Sequence, residues 1–281
     1  MNNSLFFSFL MAGALLTACD SGTNRDAEQA ATDTTATSVD AGNSAQSSIQ
    51  LTKGEDSPEF PDAMLEQIQP TDGQKFRSES VTFRYNIKNF KLTEMTEDAH
   101  NKMLANSQQG QHIHLIVNND PYDALYKTTH QKELSAGHYV ALSFLSRSYH
   151  ESIKTPDAYV LRQFTVGNAE NKNVDLTQPH MFYSRPKGEY EGKDTERIML
   201  DFYLVNADLQ ENGHKVRATI NGQEFMINEW KPYYITGLPM GETTIQLELL
   251  DGNGNRVESP FNPVTRTITL KEASNPQAAA H

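Results

Sequence analysis

Gly110-Gln111-His112-Ile113-His114-Leu115-Ile116-Val117-Asn118 and Gly213-His214-Lys215-Val216-Arg217-Ala218-Thr219-Ile220-Asn221 begin and end on the same residues, about one hundred positions apart, the spacing of a duplicated unit. In the first, Ile113, Leu115 and Val117 alternate with His112, His114 and Ile116; in the second, Val216, Ala218 and Ile220 alternate with Lys215, Arg217 and Thr219. A period of two is that of a half-buried strand. Each stretch ends in a turn: Asn221-Gly222 is a strong two-residue hairpin signal and Asn118-Asn119 its weaker counterpart.

The correspondence extends in both directions. Val81 to Leu92 reads like Met199 to Leu209, Gly137 matches Gly241, and Phe164-Thr165-Val166 matches Ile268-Thr269-Leu270. Pro70, Asp72 and Gly73 precede the first copy's early strand, as Pro186 and Gly188 precede the second's. The pattern predicts an all-β chain of two tandem immunoglobulin-like β-sandwiches, over 60–168 and 169–271. The first copy carries an insertion around Thr93 to Gln109, in which Asp98 to Leu104 is expected as a short helix or an ordered loop.

Outside the repeats the chain changes character. Leu5 to Leu16 is an apolar run too short for an ordinary membrane span and long enough for a signal-peptide core. It leads into Leu16-Thr17-Ala18-Cys19, which resembles the lipobox of bacterial lipoproteins. That resemblance implies a signal peptide over 1–18 and Cys19 as the acylated, palmitate-bearing first mature residue. The chain is then tethered to a membrane of the bacterial cell envelope, inner or outer. From Asp20 to Glu59 there is no aromatic residue, and the segment is rich in Ser, Thr, Ala, Asp and Asn. Residues 19–59 are expected as a disordered acidic linker and 272–281 as a disordered tail.

The 281 residues carry 24 basic and 36 acidic side chains, net −12, and one cysteine. A single thiol excludes a disulfide scaffold and a four-cysteine zinc site. The negative charge argues against a sequence-independent nucleic-acid binder, which needs a basic surface to neutralise phosphates.

Three groups of residues carry candidate chemistry. His112 and His114 lie two apart on one strand and so point to one face, His138 follows Gly137, and His150 sits in Ser148-Tyr149-His150-Glu151-Ser152. Imidazoles gathered in this way suit Cu or Zn. The matching positions of the second copy are Lys215 and Arg217, so the fold does not itself demand imidazole there. The competing reading is a solvated strand face, with His138 a hydrogen-bonded residue at the core rim. The second group is the loop Ser146 to Lys154, whose Arg147, Tyr149 and Glu151 are placed as a binding loop would be. The third is a basic patch of Arg185, Lys187, Lys215 and Arg217 for an anionic ligand, set against ordinary pairing with Glu189, Glu191 and Asp194. Trp230, in Trp230-Lys231-Pro232-Tyr233-Tyr234, is expected to cap the second core or to present a ring to a partner.

No Gly-x-Ser-x-Gly elbow and no phosphate-binding loop occurs, and Lys154 stands where a His-Glu-x-x-His motif needs its second histidine. Catalysis is not expected. The segments around Gly110 to His114, Ala136 to Tyr139, Ser148 to Ser152 and Phe164 to Val166 resemble bacterial envelope lipoproteins with tandem immunoglobulin-like modules of uncharacterised function. Met181 to Pro186 and Leu200 to Asn206 look like chains loosely labelled phosphopeptide-binding. The reading is therefore a lipid-anchored, non-enzymatic module that binds an envelope protein, a peptide or a surface polymer. The alternatives are Cu or Zn binding by the histidines of the first copy, and phosphopeptide or anion binding by the second.

Overall fold

The computed structural model describes residues 48–170 and 172–274; the signal peptide, Cys19 and most of the expected linker lie outside them. After a lone strand β1 (Gln50–Lys53), the first copy contains β2 (Met64–Gln69), β3 (Gln74–Phe76), β4 (Ser80–Lys88), β5 (His112–Val117), β6 (Asp123–Leu125), β7 (Thr129–Glu133), β8 (Gly137–Ser146) and β9 (Tyr159–Val166). The second contains β10 (His180–Arg185), β11 (Gly188–Glu191), β12 (Ile198–Val205), β13 (Lys215–Ile220), β14 (Gln223–Ile227), β15 (Tyr233–Thr236), β16 (Gly241–Leu250) and β17 (Val264–Lys271). No helix among the described residues is long and apolar enough to cross a membrane.

Duplication is visible in the strand order. In the first copy β2-β4-β7 faces β3-β9-β8-β5-β6; in the second β10-β12-β15 faces β11-β17-β16-β13-β14. Even the parallel pairs coincide, β3 with β9 and β11 with β17. The chain forms two tandem immunoglobulin-like β-sandwiches. Each has a core of the expected alternating residues. In the first, Val81, Phe83 and Tyr85 pack with Ile113, Leu115, Val117 and Phe164. In the second, Ile198, Leu200 and Phe202 pack with Val216, Ala218, Ile220 and Leu247.

Alternation predicts that the opposite face of each strand meets water, and here the structure differs. Every residue of β5, β10 and β12 is buried. The outer face of β5 and β8 (Ile116, Val140, Leu142, Phe144), with Tyr122, packs directly on Phe182, Tyr203 and Val205 of β10 and β12 and on Phe261. Phe144 stacks on Tyr203 with ring centroids 4.7 Å apart. The sandwiches are thus joined by a third apolar core that neither could form alone. Removing these aromatic and aliphatic side chains from water stabilises the junction.

Polar side chains fix the register of the junction. Asn119, in the turn after β5, donates Nδ2 to the carbonyls of Met181 (3.3 Å) and Phe261 (3.0 Å) and accepts the Tyr183 N–H on Oδ1 at 2.8 Å. It satisfies the open edge of β10 in place of another strand. Fully buried Asp201 of β12 accepts from the Ser152 N–H and hydroxyl and from Lys154 Nζ at 2.7 Å.

The expected linker needs correction at its C-terminal end. Residues 50–53, inside the 19–59 spacer, pair antiparallel with β15 and extend the second sandwich's sheet, although they precede the first sandwich in the chain. Ile49 and Leu51 lie two apart and reach the second core, which rewards ordering a segment too short to fold by itself. Beyond β1 the chain crosses the junction: the Gly54 N–H donates to the Pro232 carbonyl at 2.8 Å, and the Pro58 carbonyl accepts from Arg147. At the other end, in the expected tail, the Ser274 N–H donates to Glu191 Oε1 at 2.8 Å.

Candidate metal centre

Strand geometry sends His112, His114 and Ile116 to the same face of β5, the one the second sandwich covers. Both imidazoles are therefore fully buried. His150 reaches them from the loop between β8 and β9. Its backbone is left-handed, with φ +70°, a conformation a non-glycine residue holds only where its surroundings impose it. Those surroundings are partly the insertion of the first copy. Thr96 and Ser148 exchange hydrogen bonds (Ser148 N–H to Thr96 Oγ1, 2.9 Å; Thr96 N–H to Ser148 Oγ, 3.2 Å), and the Ser107 N–H donates to the Ser148 carbonyl. The insertion forms ordered loops with one 3-10 turn at Ala99–Asn101, braced against the loop that carries His150.

The result is a convergence of three ring nitrogens. His112 Nε2 lies 2.9 Å from His114 Nε2 and 3.0 Å from His150 Nδ1, and the three atoms are all within 4.8 Å of one another. The Gly110 carbonyl, 2.8 Å from His112 Nδ1, accepts that N–H. This fixes the tautomer and leaves the Nε2 lone pair directed at the other two rings. His114 Nδ1 contacts Ser184 Oγ of β10 at 3.1 Å, a brace supplied by the second sandwich. Tyr122 stacks face to face on His114 (3.5 Å, 9°) with its hydroxyl 3.2 Å from His150 Nδ1, and the Tyr126 ring lies 5.1 Å from His112.

Electrostatics keep the cluster neutral. Burial pulls His112 down to about 4, with the Gly110 carbonyl opposing and the charges of Arg185 and Lys187 adding to the depression. His114 is held well below the ordinary histidine range by burial, then by the neighbouring imidazoles and the same two cations; burial and Arg185 do the same to His150. Neutral imidazoles with free lone pairs are the form that binds metal.

His138 does not join them. It sits on β8 on the side of Val140 and Leu142, with Nδ1 3.3 Å from Thr165 Oγ1 and Nε2 3.1 Å from Gln163 Oε1. It is the hydrogen-bonded rim residue, because its position on β8 pairs with Thr165 of β9 rather than with β5. The solvated-face reading of His112 and His114 also fails: the face is covered by the second sandwich. Lys215 and Arg217, their counterparts on β13, keep a partly exposed face and show what the same position looks like undocked.

The expected binding loop is occupied internally. Arg147 is buried, pairs with Glu151 at 3.1 Å and donates to the Pro58 and Ser152 carbonyls. Tyr149 is buried with Met199 and Tyr234. These residues hold the junction instead of facing a partner. The basic patch also divides. Arg185 donates to the Tyr122 hydroxyl at 3.2 Å and Lys187 to the Tyr122 carbonyl at 2.6 Å, whereas Arg217 pairs with Glu248 across β13 and β16. None of the pairing expected for Arg185 and Lys187 with Glu189, Glu191 or Asp194 occurs. Trp230 is half-buried, donating Nε1–H to the Phe202 carbonyl at 2.9 Å and meeting Tyr203 edge-on at 5.1 Å.

Sequence reasoning missed Tyr122, Tyr126 and Ser184. The two tyrosines bracket the hairpin partner of β5, and that aromatic pairing beside the His-x-His strand was the available signal. Ser184 had none, since only the docking of the second sandwich brings it near.

No protein-family model and no curated protein matches the chain. Among solved structures it is similar to the fibronectin(III)-like modules of Clostridium thermocellum CbhA, at 14% identity over 75% of this chain and 95% of that one, with a TM-score of 0.27. It is also similar to a Bacteroides ovatus mixed-linkage glucan utilization locus protein, SGBP-B, in complex with a mixed-linkage heptasaccharide (8% identity, 79% and 72% covered, TM-score 0.23). The D00-D0 domain of Intimin matches at 12% identity over 74% and 98%, with a TM-score of 0.21. Such overlaps carry no argument about ligands, and the functional reading rests on the site.

Proposed function

We propose that this protein is a non-enzymatic transition-metal binder of the bacterial cell envelope, holding Cu or Zn through His112, His114 and His150. The observation that carries the reading is the convergence of three neutral ring nitrogens, one of them with its lone pair set by the Gly110 carbonyl. The donor set fits a borderline metal, since imidazole suits Cu and Zn alike. Metal–nitrogen bonds of about 2.0–2.1 Å need the rings to adjust by about an ångström or less from their present spacing. His150, the partly exposed member of the three, is the side from which an ion enters. Binding is the whole of the proposed activity.

Titration of the full chain with Cu and Zn tests this. His150→Ala, and separately His112→Ala with His114→Ala, are expected to weaken binding at least about a hundredfold, above the 10–100-fold typical of supporting residues alone. His138→Ala is expected to leave it unchanged. Unaltered affinity in both triad variants would refute the site.

The envelope location follows from the lipobox-like Leu16-Thr17-Ala18-Cys19. In cells fed labelled palmitate, the wild-type chain is expected to incorporate label and Cys19→Ser to lose it; label retained by the variant removes the anchor from this reading.

A further inference from the structure

The three imidazoles do not stand alone. Arg185 is buried, and its Nε has no hydrogen-bond partner. Its Nη1 donates to the Tyr122 hydroxyl, which itself lies 3.2 Å from His150 Nδ1. Lys187 Nζ sits over the Tyr122 ring at 3.9 Å, on the ring that stacks against His114. Among the described residues neither cation forms a salt bridge with a carboxylate. The acid nearest Lys187 in effect, Asp123, is already paired with Lys132 at 2.7 Å. The centre therefore consists of three imidazole donors flanked by two positive side chains that lack a salt-bridge partner, in an aromatic setting.

From this charge balance we propose that the centre is built for a monovalent soft ion, Cu(I), in preference to Zn(II) or Cu(II). The proposal rests on the metal-binding reading above and adds the ion's charge to it. Imidazole serves zinc and copper alike as a ligand type; the field around it adds a preference for lower charge. Each added positive charge on the ion interacts unfavourably with Arg185 and Lys187. Away from water that repulsion is several times stronger than in bulk solvent. A dication has no carboxylate or thiolate at the site to offset it. Three ring nitrogens converge beside the Tyr122, Tyr126 and Phe144 rings.

Anaerobic competition titrations read the preference directly, using bathocuproine disulfonate for Cu(I) and a zinc chelator for Zn(II), on the full chain and on Arg185→Gln and Lys187→Gln. The wild type is expected to hold Cu(I) with one equivalent per chain. Each variant is expected to narrow the Cu(I)-to-Zn(II) affinity ratio by about tenfold or more, mainly by strengthening Zn(II). Lys187→Gln, at a partly exposed residue, serves if Arg185→Gln fails to fold. A ratio that moves less than threefold in the folded variants, or Zn(II) held more tightly than Cu(I) by the wild type, overturns the monovalent assignment and leaves the metal site standing. Binding of neither ion by the wild type overturns both.

Discussion

Asp201→Ala is expected to lower the folding stability of the chain by about 3–5 kcal/mol, the range for removing one member of a buried charged pair. Asp201 lies on β12 of the second sandwich with no exposed surface, and all its partners belong to the loop after β8 in the first. Its loss removes the carboxylate partner of Lys154 and the acceptor of both the Ser152 N–H and the Ser152 hydroxyl hydrogen. The same loop carries His150, so metal affinity is expected to fall with stability. Asp201→Asn, which keeps an acceptor, is expected to cost less. Urea unfolding followed by circular dichroism measures both, and an alanine variant within 1 kcal/mol of wild type would show that the network contributes little.

Phe144→Ala is the second large effect, at about 3–5 kcal/mol for deleting a fully buried aromatic side chain and leaving a cavity. Its ring stacks on Tyr203 across the junction and lies 5.1 Å from His114. The loss therefore falls on the core shared by the two sandwiches, and the unfolding transition is expected to broaden or split as they uncouple. Met226→Ala, on an exposed strand position, is the control and is expected to stay within about 0.5 kcal/mol of wild type. Equal stability of the two variants would mean that the junction does not bind the sandwiches together.

Half of the site is legible in the amino-acid sequence. The spacing of His112 and His114 dictates a shared face in any strand, and His150 stood out in its polar loop. His138 carried the same kind of signal and proved to be a rim residue, because a sequence position shows which side a side chain takes but not which strand lies beside it. Arg147 and Glu151 resembled a recognition loop for a related reason. A dense run of charged residues reads alike whether it faces a ligand or a neighbouring domain, and here it braces the chain at Pro58. Residues 50–53 read as spacer since their composition is polar; what orders them is the open edge of β15, about 180 positions away in the chain, and the core of the second sandwich.

The β class, the twofold repeat, the inward set of each strand and the single thiol are written in the sequence, because side-chain alternation and turn residues are local properties. That the two sandwiches share a core, that β5 is buried on both faces, and that three histidines converge beside Arg185 and Lys187 emerges only from the packing. Those features depend on which surfaces meet, and alternation along one strand leaves the identity of the covering surface open.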